Sequence, residues 1–126
     1  METKVRDLDA LQHIKEYCDE VSELLVQINN DRQQYDNLRV YKHAIALCVL
    51  QIGELVRIIS PEYKESHPEV PWKEIIGMRN IVAHAYGTFD YDTLWDVATE
   101  DIPSLKAMCE KYLDEKQESD DSQNEK

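Results

Sequence analysis

Residues Asp36–Pro61 read DNLRVYKHAIALCVLQIGELVRIISP, and this stretch decides the fold. Its apolar residues recur at steps of three and four, which is the spacing of one face of an α-helix. We therefore predict a helix that begins near Asp36, a good N-cap residue, and ends at Ser60-Pro61. The apolar face is broad enough to contact more than one neighbouring helix. It carries Leu38, Tyr41, Ala44, Ile45, Cys48, Ile52, Leu55, Val56 and Ile59.

Two residues inside this helix point to a close contact with another helix. Gly53 is a glycine in a helix interior, where it costs about 1 kcal/mol relative to alanine. That cost is compatible with a second helix that crosses at this position. The next residue, Glu54, is then placed to meet a basic side chain across the crossing, although most glutamates at such positions are simply solvated.

The same apolar spacing predicts helices on both sides. A single stripe runs from Asp7 to Ile28 and is followed by polar Asn29. It predicts one long helix. Residues 61–70 contain two prolines and mixed charge, and we interpret them as a surface loop.

Two further helices are expected in the second half of the chain. One runs from Trp72 to His84, because Pro71 suits the start of a helix. The other is capped by Asp90 and carries apolar residues as far as Leu113. Pro103 lies inside this last pattern and predicts either a kink or a break near Asp101.

No segment shows the alternation of a strand, and no internal repeat is present. With three glycines and four prolines in 126 residues, the composition also disfavours a strand-and-turn architecture. We predict an all-α domain, a four- to five-helix up-and-down bundle, over residues 1–113. Residues 114–126 carry six acidic and two basic side chains without apolar anchors, and are predicted to form a disordered acidic tail.

Composition restricts the functional classes. The net charge is −12, and an acidic surface is a poor non-specific binder of nucleic acid. RNA chemistry would therefore require a local basic pocket, for which Arg39, Lys42, Arg57 and Lys73 are candidates. No glycine-rich phosphate loop occurs, which excludes nucleotide sites of the Rossmann and P-loop kinds.

The cysteines and the N-terminus bear on the cellular compartment. Cys18, Cys48 and Cys109 are widely spaced within apolar segments, and we interpret them as buried, reduced thiols. Reduced thiols favour a cytoplasmic location. The N-terminus lacks the apolar run of a signal peptide, and no segment reaches the length of a membrane span. We expect no membrane association, no metal and no cofactor.

The segment Gly77–Gly87, GMRNIVAHAYG, carries the polar chemistry of the chain. On a helix, Asn80 and His84 lie one turn apart on one face, so that the amide can orient the imidazole. Arg79 lies on a neighbouring stripe. Within one helix Arg79 and His84 therefore do not converge, unless the last turn unwinds or a second copy of the helix lies alongside. A two-fold dimer would bring two copies of each residue around one cleft.

These residue types suit cleavage of a phosphodiester without metal. His84 lies near the negative end of the helix dipole, which favours a raised pKa, whereas a nearby Arg79 would lower it. The imidazole could take the proton of a ribose 2′-hydroxyl while the guanidinium stabilises the phosphate charge. The same residues are also common in helix capping and surface hydrogen bonding, so the spacing alone leaves both interpretations open.

A resemblance adds to this reading. The pattern Arg79-Asn80-x-x-x-His84-x-Tyr86 matches the R-x4-H-x-Y signature of HEPN-domain proteins, and it resembles specifically the HepT-like toxins of HEPN/MNT toxin–antitoxin pairs. The similarity extends over about residues 7–113. Further matching elements are Trp72–Met78, Ile52-Gly53-Glu54, Asp90, Trp95 and Asp101-Ile102-Pro103-x-Leu105.

The resemblance implies a homodimeric, metal-independent endoribonuclease whose paired motifs form one cleft. It implies that Arg79 and His84 are catalytic, that Asn80 supports them and that RNA, not DNA, is the substrate. It also implies a nucleotidyltransferase antitoxin as partner, which transfers AMP to Tyr86 and thereby blocks RNA access. The alternative is a non-catalytic dimeric helical module that binds a nucleotidyltransferase or a nucleotide, and the net charge of −12 favours it.

Overall fold

The computed structural model describes residues 2–84 and 90–124, with side chains for residues 5–80 and 90–114. These parts of the chain are helical and contain no strand, which confirms the all-α prediction. A π-helical turn, Val97–Asp101, lies between the last two α-helices. The α-helices are α1 (Glu2–Gln27), α2 (Arg32–Asn37), α3 (Arg39–Ile58), α4 (Pro61–Ser66), α5 (Trp72–His84), α6 (Tyr91–Asp96) and α7 (Ile102–Asn124).

Helix α3 lies at the centre of the bundle. It packs against α1 on one side and against α5 on another, while α1 also packs against α7. This arrangement confirms that the broad apolar face of α3 serves more than one neighbour. The short helices α2 and α4 lie in the connections before and after α3.

The stripe on α1 is confirmed almost in full. Leu8 is half-buried, and the apolar residues that follow it on the stripe are buried. After the helix, Asn29 and Asn30 have φ angles of 57° and 53°, in the left-handed region that asparagine tolerates better than most residues. The buried members of the stripe are Leu11, Ile14, Cys18, Val21, Leu25 and Ile28.

The predicted start of the central helix was wrong. Asp36 does not cap it; instead Asp31 caps the separate helix α2, with its side chain accepting a hydrogen bond from the Gln33 N–H. Leu38 adopts an extended conformation between α2 and α3 and is exposed. The break allows Tyr35, on α2, to be fully buried and to donate a hydrogen bond of 2.8 Å to the Tyr91 carbonyl. The break at Leu38 could not be predicted from the sequence, because the apolar pattern continues across it.

Residues 61–70 are not wholly a loop, because α4 forms within them. Pro61 takes the first helical position, and Ser60 caps the helix by accepting a hydrogen bond from the Tyr63 N–H. Ser60 is held in turn by the buried carboxylate of Asp7, which accepts from its N–H at 2.8 Å and from its hydroxyl at 2.5 Å. This contact fixes the end of α3 to the start of α1.

The Asp90 cap and the interruption at Pro103 are both confirmed. The Asp90 carboxylate accepts hydrogen bonds from the Thr93 N–H and hydroxyl. Helix α7 begins at Ile102, directly after the π-helical turn, and the Ile102 N–H bonds to the Val97 carbonyl. Proline lacks an N–H and its ring crowds the preceding turn of the helix. The turn just before Pro103 therefore takes one extra residue and becomes π-helical.

The last helix continues through Asn124, beyond the predicted domain limit at residue 113. The backbone of residues 114–124 belongs to this helix, and the interpretation of residues 114–126 as a separate disordered tail stays a prediction. Cys18, Cys48 and Cys109 are buried thiols without disulfide partners. No helix in the described ranges is long and apolar enough to cross a membrane.

Candidate active site at the crossing of α3 and α5

Helix α5, Trp72–His84, carries the polar motif from Arg79 to His84, and it begins at the residue predicted. The Pro71 carbonyl accepts a hydrogen bond from the Ile75 N–H, as expected where a helix begins. Ile75 is buried, and the Trp72 indole donates a hydrogen bond of 3.1 Å to the His67 carbonyl. These contacts anchor the first turn of α5 and so position the residues that follow.

The crossing predicted from Gly53 is confirmed, and the residue that crosses is Arg79. A Cβ atom added to Gly53 would lie closer than 3.0 Å to both Cβ and Cγ of Arg79, and 3.4 Å from its Cα. Gly53 is therefore glycine because the Arg79 side chain occupies the space that any larger residue would need. An added Cβ at Gly77, on α5, would meet no atom of another described element within 4 Å.

The predicted contact of Glu54 with a basic residue is also observed. The Arg79 Nε donates to Glu54 Oε1 at 2.6 Å, and the Arg79 side chain is 20% exposed. The same carboxylate oxygen lies 3.5 Å from Nη1 of Arg57. Two guanidinium groups therefore share one carboxylate, which leaves a local positive charge on a chain whose net charge is −12.

Asn80 contacts Arg79 directly. The Arg79 Nη1 donates a hydrogen bond of 3.0 Å to Asn80 Oδ1. Its two hydrogen bonds, to Glu54 and Asn80, use two of the five N–H donors of a guanidinium, so donors remain for an anion in the described part of the site. The sequence assigned Asn80 to orienting His84, and the structure shows its carboxamide oxygen on Arg79.

The remaining two residues of the motif are His84 and Tyr86. His84 is the last residue of α5 and follows Arg79 by five positions, about 7.5 Å along the helix axis. The contact predicted between Asn80 and His84 stays a prediction, as does the direction of the His84 pKa shift. Tyr86 lies outside the described residues.

An exposed apolar stripe on α3 runs beside the site. Val40, Leu47 and Glu54 follow one another at intervals of seven residues and therefore share a face, and Ile58 lies one turn beyond. The exposed fractions of Leu47 and Ile58 are 57% and 56%. Glu54, which holds Arg79, thus lies within a row of exposed apolar side chains.

Lys42, another of the basic candidates, belongs to a different cluster of side chains. The Lys42 ammonium lies 4.8 Å from the ring centroid of Tyr91 and 5.8 Å from that of Tyr35, within cation–π range. Arg32, which the sequence analysis did not single out, lies over Tyr35 and forms ion pairs with Asp36 and Asp92. This cluster connects α2, α3 and α6, and Lys42 is the member of it that the sequence analysis singled out.

Within the described ranges no group of three or more His, Cys, Asp or Glu side chains is placed to hold a metal ion.

The fold and the site define an all-helical protein that presents an arginine at a helix crossing, five residues before a histidine. The family model described as "Ribonuclease HepT-like" matches residues 9–112. The chain belongs to the HepT-like ribonuclease family, which confirms the resemblance and indicates RNA as the target.

Individual relatives agree with this assignment. Two proteins of Methanocaldococcus jannaschii, both provisionally named RNases, are 37% and 35% identical to this chain. The alignments span 106 and 109 residues, covering 83% and 86% of this chain and 95% and 88% of the relatives. A Thermococcus cleftensis protein, provisionally named ribonuclease HepT, is 47% identical over 60 residues, which are 48% of this chain and 54% of that protein. No solved structure matches the chain significantly.

Proposed function

We propose that this protein is a metal-independent endoribonuclease in which Arg79 and His84 are catalytic and Asn80 supports them. The observation that carries the proposal is the pair of hydrogen bonds that orients the Arg79 side chain. Its guanidinium is held by Glu54 and Asn80 at a helix crossing, with N–H donors left for a phosphate. A guanidinium that is already oriented loses little freedom when it binds an anion, which is what transition-state stabilisation requires.

The chemistry follows from the residue types. The neutral imidazole of His84 accepts the proton of a ribose 2′-hydroxyl, and the 2′-oxygen attacks the adjacent phosphorus. Arg79 stabilises the negative charge that develops on the phosphoryl oxygens. The bond from phosphorus to the 5′-oxygen breaks, and the leaving oxygen takes a proton from the imidazolium or from water. The products are a 2′,3′-cyclic phosphate and a 5′-hydroxyl end.

Purified protein should therefore cleave RNA in the presence of EDTA and leave those two ends. The variant His84→Ala should lose roughly 100-fold or more of the rate, since general acid–base groups contribute at least that much. His13→Ala is the matched control, because His13 is exposed on α1 and pairs with Asp9 and Glu16. Equal cleavage by wild type and His84→Ala would contradict the catalytic role.

The active form proposed is a homodimer, in which the stripe on α3 is covered by a second copy. Leu47 and Ile58 flank Glu54, so a partner that buries them also lies next to Arg79. Exposed apolar residues in one row, rather than scattered singly, are typical of an interface. In such a dimer, the Arg79 and His84 side chains of the two copies would lie around one cleft, whereas within a single helix they do not converge.

The dimer can be tested by sedimentation. Leu47→Glu should shift the protein to monomer and abolish cleavage, because a charge cannot be buried in an apolar contact without a partner. Val26→Glu is the control, since Val26 is 65% exposed on α1 and lies outside the stripe. A wild-type protein that is monomeric at micromolar concentration would refute this part of the proposal.

The biological role proposed is that of a toxin neutralised by a nucleotidyltransferase antitoxin, which transfers AMP to Tyr86. An added AMP brings bulk and negative charge beside a site that must accept a phosphodiester. Co-expression with a nucleotidyltransferase of the proposed antitoxin class should add about 329 Da per AMP. The Tyr86→Phe variant should keep the unmodified mass, and modification that persists in this variant would assign the acceptor elsewhere.

A second candidate is a non-catalytic dimeric module that binds a nucleotidyltransferase or a nucleotide. The net charge of −12 favours it, since the charge opposes the approach of RNA. This candidate predicts no loss of RNA at any protein excess, and stable binding of the transferase without a change in RNA. The cleavage assay separates the two functions.

A further inference from the structure

Glu54 contacts the guanidinium of Arg79 in a way that fixes its orientation. One carboxylate oxygen accepts from Nε at 2.6 Å, while Asn80 accepts from Nη1 at 3.0 Å. Two acceptors on different nitrogens of a planar group define the plane of that group. The remaining N–H groups of Arg79, on Nη1 and Nη2, then point in fixed directions within that plane.

Stability alone does not account for this contact. The Glu54 side chain is 47% exposed, and ion pairs with that much exposure contribute little to folding. Its formation requires glycine at the preceding position, where the Arg79 side chain crosses, and glycine in a helix interior is itself destabilising. The chain thus accepts an unfavourable residue at Gly53 to place Arg79 against Glu54.

The carboxylate also has a second cation within reach. Arg57 Nη1 lies 3.5 Å from the same Glu54 oxygen, one turn further along α3. When a phosphate binds Arg79, Glu54 keeps a positive partner and is not left as an unpaired charge beside the anion. A carboxylate next to an RNA-binding arginine is tolerable for this reason.

We infer that Glu54 is a positioning residue of the proposed ribonuclease site, where it orients Arg79 for the phosphate and is itself paired by Arg57. The inference rests on the proposed function. It separates two effects of the carboxylate. Orientation of Arg79 favours the reaction of bound RNA, whereas the negative charge of Glu54 disfavours the binding of RNA. A substitution that removes the charge of Glu54 but keeps the shape of its side chain should therefore lower kcat without raising KM.

The decisive variant is Glu54→Gln, which keeps a side-chain oxygen for the Arg79 N–H but weakens the hydrogen bond and removes the charge. We expect kcat on an RNA substrate to fall roughly tenfold, because misorientation of a catalytic group costs rate. We expect KM to stay the same or to fall. Glu54→Ala, which removes the acceptor, should lower kcat further. A merely structural role would lower the amount of folded protein and leave both constants unchanged.

The matched control is Glu23→Gln. Glu23 is exposed on α1, and the substitution changes the net charge by the same amount. It has no ion pair or hydrogen bond with the side chains that the structure describes. Glu23→Gln should leave kcat unchanged. A change in kcat that is found in Glu54→Gln but not in Glu23→Gln is then due to the contact with Arg79 and not to the net charge.

A second readout does not depend on catalysis. In the NMR spectrum of the wild type, the Nε–H resonance of Arg79, assigned through the variant Arg79→Lys, should be shifted downfield and protected from exchange with water. In Glu54→Ala the resonance should lose both the shift and the protection. Binding of an RNA with 2′-O-methyl riboses, which lacks the attacking hydroxyl, should be as tight or tighter in Glu54→Gln.

The outcomes distinguish the two proposals. If the wild type cleaves RNA and Glu54→Gln has the kcat of Glu23→Gln, the inference is overturned and the ribonuclease proposal stands. If the wild type does not cleave RNA, the ribonuclease proposal fails. In that case an Arg79 resonance that is unchanged in Glu54→Ala overturns the positioning role as well, and a changed resonance supports it.

Discussion

The sharpest test of the helix crossing compares Gly53→Ala with Gly77→Ala. Both substitutions replace a glycine inside a helix and should gain about 1 kcal/mol from helix propensity. At Gly77 the new methyl group meets no atom of another described element within 4 Å. At Gly53 it would lie closer than 3.0 Å to two side-chain carbons of Arg79, whose Cα is only 3.4 Å away. Because Cβ and Cα belong to helix α5 itself, they cannot rotate away as a side-chain tip would.

The magnitudes follow from this geometry. The two helices must separate by roughly 1.5 Å to restore ordinary carbon–carbon contact, and overpacking of this kind costs about 1–3 kcal/mol. Gly53→Ala should therefore be destabilised by about 0–2 kcal/mol net, while Gly77→Ala should be stabilised by up to about 1 kcal/mol. The pair should differ by about 1–3 kcal/mol, which corresponds to roughly 4 °C in Tm per kcal/mol for a chain of this size.

The assay is urea unfolding followed by far-ultraviolet circular dichroism, at two protein concentrations so that any contribution of dimerisation is visible. RNA cleavage measured in parallel should fall in Gly53→Ala, because the displaced Arg79 no longer reaches Glu54 on α3. Equal stabilisation of both variants would refute the close contact between Gly53 and Arg79, and with it the physical basis for the position of Arg79.

Three further predictions concern the rest of the bundle. Tyr35→Phe should lower the free energy of unfolding by about 0.5–1.5 kcal/mol in urea titrations, because the buried ring loses the hydrogen bond that its hydroxyl donates to the Tyr91 carbonyl; a change below 0.3 kcal/mol would contradict that role. Burial raises the pKa of the thiols, to about 12 for Cys48 and Cys109, so all three cysteines should resist iodoacetamide at pH 8 in the folded protein and react in urea. A hydrogen bond from Lys15, reinforced by Lys106, lowers the pKa of Asp19, so its carboxylate stabilises the fold above its unfolded pKa of about 3.9 and ceases to do so as the pH falls through the lower folded value. Asp19→Asn should accordingly be less stable than wild type by up to about 1 kcal/mol at pH 7, with the difference vanishing in acid; a difference that grows on acidification would contradict this assignment.

Much of the fold could be predicted from the sequence because helical periodicity is local. The stripe on α1 was correct, since the spacing of apolar residues within one segment determines which face becomes buried. The start of α5 was correct as well. The cap at Asp90 and the interruption before Pro103 were also correct, because both depend on a side chain and the few residues next to it. The wrong predictions, the start at Asp36 and the loop at 61–70, are boundaries at which the apolar pattern continues or pauses without a strong stop signal.

The candidate site was predicted less completely, because its geometry is non-local. The sequence by itself determined that this chain is a helical bundle with an arginine and a histidine five residues apart on one helix. It also indicated that something crosses at Gly53 and that Glu54 meets a cation there. Only the tertiary structure decided that the crossing residue and the cation are both Arg79, twenty-five positions away, and that Asn80 binds the same guanidinium. Helix periodicity specifies which face is buried, but the rotation and offset of two packed helices depend on all the side chains between them.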